Sequence, residues 1–206
     1  MTGDRSVVVL MRHGEVENPD DILYGRLPGF HLSERGQRQA KAVAAHLAQE
    51  CEPFAAIVSS PLERAQETAQ PLADALGPVV TLDDRLIESG DSVFEGRPHA
   101  SRWSSLRAGD LWHLRNPWRP SWGEAYRDIA GRVHAAIDDA RRAHPGKRVV
   151  CVSHQSPIWV TRRAYEGKPL WHDPRSRQCA HASLTVLTFD VDQLVRIGYE
   201  TPAGAL

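Results

Sequence analysis

The tripeptide Arg12-His13-Gly14 stands at the end of the apolar run Val7 to Met11 and is followed by Glu15. An arginine presents a planar fork of donors that matches phosphate oxygens and stays charged at any useful pH. A neutral imidazole beside it can attack phosphorus, and the glycine lets backbone come close to a ligand. Taken alone, the same residues more readily describe a loop arginine next to a half-buried histidine. A second stretch, Ser59-Ser60-Pro61-Leu62-Glu63-Arg64-Ala65-Gln66-Glu67-Thr68-Ala69, sets Arg64 in the opening turn of a helix that starts where a strand ends. There its cation adds to the unpaired N–H groups of the helix N-terminus, a ready anion site. A solvated arginine paired with Glu63 or Glu67 would look the same. A third stretch, Val150-Cys151-Val152-Ser153-His154-Gln155, ends an apolar strand on a Ser-His pair. Burying that pair is costly unless its groups are used or hydrogen-bonded. In Arg85-Leu86-Ile87-Glu88-Ser89-Gly90, Glu88 could protonate a leaving alkoxide, or could be a capping or solvated acid.

These residues need elements to hold them. Val7 to Met11 is a continuous β-branched and aliphatic run, expected of a strand covered on both faces. Asn18 to Phe30, with two Pro, two Gly and three Asn or Asp, is turn-rich. Ser33 is placed to cap a helix over about Glu34 to Gln49. Ala55 to Ser59 is expected as a second buried strand, and Pro61 as a first-turn residue of a helix running to about Leu76. A third helix is expected from about Gly123 to His144, with Tyr126, Ile129, Val133 and Ile137 as its buried stripe. Arg148 to Ser153 follows as a strand, then a helix with Pro157 in its first turn. Ser183 to Phe189 and Leu194 to Tyr199 read as a terminal hairpin. The alternation of strands and helices predicts a single α/β domain over 1–206, three-layer α/β/α with a mostly parallel central sheet. Around 83–122 the pattern breaks into an irregular, lid-like insertion holding four of the six Trp. His13 and His154 each end a buried strand, where such sheets bind ligands.

Composition removes several alternatives. With 206 residues, 41% apolar, 25% charged and a net charge of −1, the chain fits a soluble globular domain. Nothing in that balance calls for nucleic acid or a membrane as partner, so an anion must be met by a local cluster of Arg and His. The short apolar run at the N-terminus suits neither a membrane span nor a signal peptide. Cys51, Cys151 and Cys179 are odd in number and form no CxxC pair, as expected of reduced thiols in the cytoplasm.

The four stretches in this order resemble the histidine phosphatase (phosphoglycerate mutase-like) superfamily from end to end. Arg12-His13-Gly14-Glu15 is similar to its nucleophile motif, and Leu32-Ser33-x-x-Gly36-x-x-Gln39-Ala40 to the segment after it. Ser59 to Ala69 resembles the second-arginine motif, and Leu86-x-Glu88, Gly123-Glu124 and Val152-Ser153-His154 follow in family order. The resemblance implies a phosphoglycerate mutase-like fold in which His13 takes the phosphoryl group and passes it to water. Arg12, Arg64 and His154 would surround its oxygens. Glu88 would protonate the leaving oxygen and later activate water. No metal and no other cofactor is implied, and the partner is a small phosphorylated substrate; a homo-oligomer is compatible with the sequence.

Departures from the family fall at identifiable places. Pro19 stands where an Asn is common, leaving Asn18 one place early as a candidate phosphate ligand. Gln155 and Ser156 follow the second histidine in place of Gly, so Gln155 is a candidate substrate contact, as is Gly14 through its backbone. Phe94 replaces a common Trp. Glu88-Ser89-Gly90-Asp91 differs from the Glu-Arg-His-Tyr-Gly stretch of the mutases, which argues for a phosphomonoesterase. Two other classes of function compete with it: a mutase-type phosphotransferase, and a phospholigand-binding protein with little turnover. A metal site from His172, Cys179 and His181 is a further reading, though their spacing matches no familiar ligand pattern. The Trp-rich segment from Arg107 to Trp122 is expected to wall the pocket as a lid or to form an interface.

Overall fold

Strand β1 (Arg5–Arg12) lies near the middle of a six-stranded sheet whose order is β3-β2-β4-β1-β5-β6. The other strands are β2 (Phe54–Ser59), β3 (Val80–Leu82), β4 (Arg148–Ser153), β5 (Leu184–Asp190) and β6 (Gln193–Glu200). The structure is a computed structural model that describes residues 5–90, 95–98, 123–204 and 206. Strands β3, β2, β4 and β1 run parallel, β5 is antiparallel to β1, and β6 returns antiparallel to β5.

The pleat explains the layers. Val9 and Met11 point to one face, where they pack with Val43, Ala44 and Leu47 of α1 (Glu34–Leu47) and with Ala65, Ala69 and Leu72 of α2 (Glu63–Leu76). Val8 and Leu10 point to the other, against Val133, Ala136 and Ile137 of α3 (Tyr126–Ala143) and Ile158 of α4 (Gln155–Tyr165). Both faces are therefore covered, and the central stretches Val8 to Met11 of β1 and Val149 to Val152 of β4 are apolar and buried. This is the expected three-layer α/β/α arrangement with a mostly parallel sheet. Among the described residues, no helix is long and apolar enough to cross a membrane.

Three details differ from the sequence reading. Pro61 lies ahead of α2, whose N-cap is Leu62, so the helix starts two residues later than expected and has no side-chain cap. Tyr126 is only half-buried, whereas Ile129, Val133 and Ile137 form the buried stripe of α3 as expected. Strand β3 was not expected, since three half-exposed residues are too few to set a period. The irregular region after it begins with a single 3-10 turn, Asp84–Leu86. Phe94 and the Trp-rich segment 107–122 lie outside the described residues.

The register places the chemistry. Arg12 pairs with Ser153, and the His13 N–H donates to the Ser153 carbonyl at 3.1 Å, so His13 and His154 leave the sheet side by side. Ser59 pairs with Val152, and the Ser60 N–H donates to the Val152 carbonyl at 2.9 Å, which adds Ser60 to the same edge. The loop after His13 is then clamped to the start of α1. Ser33 caps that helix by accepting from the Gly36 N–H at 3.0 Å, its hydroxyl donates to Glu15 at 3.0 Å, and Gln39 accepts from the Glu15 N–H at 3.0 Å. Contact is so close that a Cβ on Gly36 would stand 2.0 Å from the Glu15 carbonyl oxygen, and one on Gly14 would stand 2.6 Å from that of Gly36. Gly36→Ala is therefore expected to destabilise the protein by about 1–3 kcal/mol, the scale of overpacking. Urea unfolding checks this; an unchanged midpoint would mean that the loop yields freely.

Candidate active site

Two buried imidazoles form the floor of the site, with ring centroids 5.1 Å apart at 57°. His13 Nδ1 lies 2.7 Å from the Gly14 carbonyl oxygen. A carbonyl only accepts, so Nδ1 carries the ring hydrogen and Nε2 keeps its lone pair. The Gly14 N–H donates to Thr68 Oγ1 at 3.1 Å, and that hydroxyl donates to the Arg64 carbonyl at 2.7 Å, tying the His13 loop to α2. Gly14 thus orients His13 and packs on Gly36. The close backbone approach expected of this glycine is made to α1, and its N–H and carbonyl are both engaged within the protein. His154 caps the start of α4, and its Nε2 is 2.7 Å from the Ser60 hydroxyl. Burial pushes both imidazoles well below their ordinary pKa, helped for His13 by His154, Arg12 and Arg64, and for His154 by Arg64 and Arg12. Both are neutral at pH 7.

Two arginines stand over this floor. Arg12 donates to the Cys179 carbonyl at 2.7 Å and to His181 Nε2 at 2.8 Å. Arginine cannot accept, so His181 is a neutral acceptor; burial and the Arg12 charge push its pKa down to about 3. Arg64 is fully buried, donates to the Gly25 carbonyl at 2.6 Å, and lies 4.7 Å over the Tyr24 ring. Four buried nitrogens here have no hydrogen-bond partner among the described residues: Arg12 Nε, Arg64 Nε and Nη1, and His154 Nδ1. Each unmet donor or acceptor costs about 1–3 kcal/mol, so such a group is expected where a ligand belongs. An anion with several oxygens can accept from the arginines together.

Glu88 follows the 3-10 turn, and its segment is fastened from behind. Ser153 Oγ donates to the Leu86 carbonyl at 2.7 Å, while Arg132 donates to the Arg85 and Ile87 carbonyls at 2.6 and 2.7 Å. Arg26 Nε donates to the Glu88 carbonyl at 2.8 Å. Arg26 and Arg132 both pair with Glu124, at 2.9 and 2.7 Å. The Glu88 carboxylate accepts from the Ser89 N–H at 2.7 Å, and its charge acts on Arg64, Tyr24 and Arg177. Arg12, His13, Arg64, Glu88 and His154 therefore come to one place at the carboxyl edge of the sheet.

Other expectations meet a different arrangement. Asn18 bonds twice to the Ile22 backbone, at 2.9 and 3.0 Å, which makes it a brace of its loop. Gln155 opens α4 and reaches the Cys179 carbonyl and Arg177 at 3.5 Å each, the outer limit of a hydrogen bond. His172, Cys179 and His181 are held by different partners, and no metal-binding cluster of three or more His, Cys, Asp or Glu occurs among the described residues. Sequence reasoning missed Tyr24, Arg26, Ser60, Thr68 and Arg132. The Tyr24-Gly25-Arg26 stretch offered a signal, an aromatic and a cation inside a turn-rich segment, while Ser60 and Thr68 offered none beyond their motif.

A mostly parallel, six-stranded sheet with two neutral histidines between two arginines at its carboxyl edge is a phosphoglycerate mutase-like arrangement. The chain belongs to the histidine phosphatase superfamily (branch 1), whose profile it matches over residues 8–199. It is 52% identical over 204 residues to the uncharacterized protein Rv0525 of Mycobacterium tuberculosis, covering 98% of each chain. It is 31% identical over 189 residues to phosphoserine phosphatase 1 of Hydrogenobacter thermophilus, covering 87% of this chain and 85% of that one. Among solved structures, it superposes on a mycobacterial glucosyl-3-phosphoglycerate phosphatase with a TM-score of 0.77 at 27% identity, covering 96% and 98% of the two chains.

The depressed histidines carry a stability signature. His13, His154, His172 and His181 take up protons near pH 6.5 when unfolded and only well below it when folded. Below about pH 6.5 the unfolded chain binds more protons, so stability falls as pH is lowered through that value. The melting temperature is expected to drop steadily from pH 7 to pH 5. A flat profile would show that these imidazoles titrate normally.

Proposed function

We propose that this chain is a phosphomonoesterase that hydrolyses a small phosphorylated metabolite through a phosphohistidine on His13. The observation that carries the reading is the free Nε2 lone pair of His13 beside the unpartnered buried nitrogens of Arg12, Arg64 and His154. The arginine nitrogens bind phosphoryl oxygens and stabilise their charge as the transition state forms. His13 Nε2 attacks phosphorus, the P–O ester bond breaks, and Glu88 delivers a proton to the leaving alkoxide. Water then attacks the phosphohistidine and returns a proton to Glu88, the N–P bond breaks, and phosphate leaves a neutral His13. The Gly14 carbonyl holds the Nδ1 hydrogen throughout, steadying the imidazolium-like charge in both steps.

Hydrolysis is favoured over transfer by the segment Glu88-Ser89-Gly90-Asp91, which lacks the mutase stretch, and by relatives named as phosphatases. The two arginines supply the positive charge that a divalent metal supplies in other phosphoryl-transfer enzymes, which supports a metal-independent mechanism. A cytoplasmic setting fits Cys51, Cys151 and Cys179, all free thiols.

Covalent catalysis is tested by rapid quenching with an aryl phosphate, which should trap an acid-labile phosphoenzyme in the wild type. His13→Ala should fold, form no phosphoenzyme and lose turnover; wild-type rates in this variant would end the proposal. Glu88→Gln should lose roughly 10²- to 10⁴-fold on alkyl phosphates, the usual scale of general acid catalysis, and less on nitrophenyl phosphate, whose leaving group needs no proton. An equal loss on both would assign Glu88 to the dephosphorylation step or to structure. Activity on nitrophenyl phosphate should survive EDTA, and loss that Zn²⁺ or Mg²⁺ restores would point to a metal-assisted hydrolase.

A further inference from the structure

We infer that Arg177 is a second anion site on the leaving-group side of this pocket, fitted to a carboxylate, so that the substrate is the phosphate ester of a hydroxy or amino acid; this deepens the phosphatase reading and rests on it. The arginines of the interior fall into two groups. Arg132 pairs with Glu124, Arg141 with Asp138 and Asp192, Arg148 with Glu50, and Arg162 with Glu166. Arg12 and Arg64, which face the phosphoryl group, pair with no carboxylate among the described residues, and neither does Arg177.

Among the described residues, the hydrogen-bond partners of Arg177 are all neutral. Its Nε donates to His172 Nε2 at 2.8 Å. His172 Nδ1 lies 2.7 Å from the Leu170 carbonyl and so carries the ring hydrogen, which leaves Nε2 as an acceptor and the ring uncharged. Burial keeps that ring neutral, with a pKa pushed down to about 4. Nη1 reaches the Gln155 side chain at 3.5 Å, and Tyr126 supplies a further neutral contact. The ring of Tyr126 packs 5.3 Å from His172, with Trp159 at 6.1 Å, so this wall is fixed by aromatic packing. Arg177 is half-buried and has no carboxylate in direct contact among the described residues, and its planar fork suits a carboxylate in two-point contact.

Its position selects the leaving-group end of the substrate. Gln155, beside Arg177, directly follows His154 and reaches the Cys179 carbonyl that also accepts from Arg12, so Arg177 adjoins the site. The Glu88 charge acts on Arg177 as it does on Arg64, which sets Arg177 within reach of the proposed proton donor. A substrate whose ester oxygen meets Glu88 directs the rest of its leaving group toward Arg177.

The test uses 3-phosphoglycerate and glycerol 3-phosphate, which differ in whether the far carbon is a carboxylate or an alcohol. Wild-type kcat/KM should favour the carboxylate ester by about tenfold or more, the scale of one charge-assisted pair. Arg177→Gln should erase that ratio chiefly through KM, and Arg177→Lys, which keeps the charge without the fork, should keep part of it. Arg163→Gln removes the same charge elsewhere and should leave the ratio intact. A wild type with no preference, or an Arg177→Gln enzyme that keeps it, overturns the inference, whereas nitrophenyl phosphate turnover through a phosphoenzyme decides the phosphatase reading separately. Should turnover be absent, calorimetric titration of both esters into His13→Ala and His13→Ala/Arg177→Gln decides. Tighter binding of the carboxylate ester that depends on Arg177 supports the inference, and equal binding overturns it.

Discussion

Arg12 and Arg64 are held in the interior on the same side of the sheet as two imidazoles, with no carboxylate paired to either among the described residues. Like charges in a poorly hydrated space repel and are costly to desolvate, so the surrounding fold must hold them there. It does so through neutral acceptors: the Cys179 carbonyl and His181 for Arg12, the Gly25 carbonyl and the Tyr24 face for Arg64. Acceptors of this kind fix geometry without cancelling charge, and burial, helped by the surplus positive potential, keeps both histidines unprotonated. Burial and that charge together attract an anion and leave a lone pair on His13.

The acid side follows the opposite plan. Arg26 and Arg132 face Glu124 and grip backbone carbonyls around Glu88, so their charge is matched locally and serves to position a chain segment. The same residue type therefore does different work according to its partner. Where the partner is a carboxylate the arginine is structural, and where it is a carbonyl or a neutral ring the charge stays available to a ligand.

How much of this was readable from the sequence follows from the range of each interaction. β1, β4, α3 and the terminal hairpin were legible because their patterns are local and either continuous or strongly periodic. The strand-end placement of His13 and His154 was legible for the same reason, and motif order added Arg64 and Glu88. β3 was invisible because a three-residue edge strand takes its identity from β2. Gly14 was read as an opening toward ligand, yet its constraint is Gly36, met only once α1 is packed. Asn18 illustrates the same limit: a residue type suited to phosphate closes its own loop onto Ile22, a choice decided by loop geometry. Tyr24 and Thr68 act through contacts between distant segments, which no local pattern records.

The pairing of β1 with β4 and β5 also governs when this molecule can exist during its synthesis. Strand β1 is a central one, and its hydrogen-bonding edges wait for β4 and β5, which follow it far later in the chain. Before then, of the described strands, β2 and β3 alone can pair, and the apolar faces of α1 and α2 have no complete sheet to cover. Long-range pairing of this kind slows folding and exposes sticky edges to neighbouring chains. A nascent fragment lacking β4 also lacks His154, so the pocket comes into being in one late step, when the N-terminal and C-terminal strands close on each other.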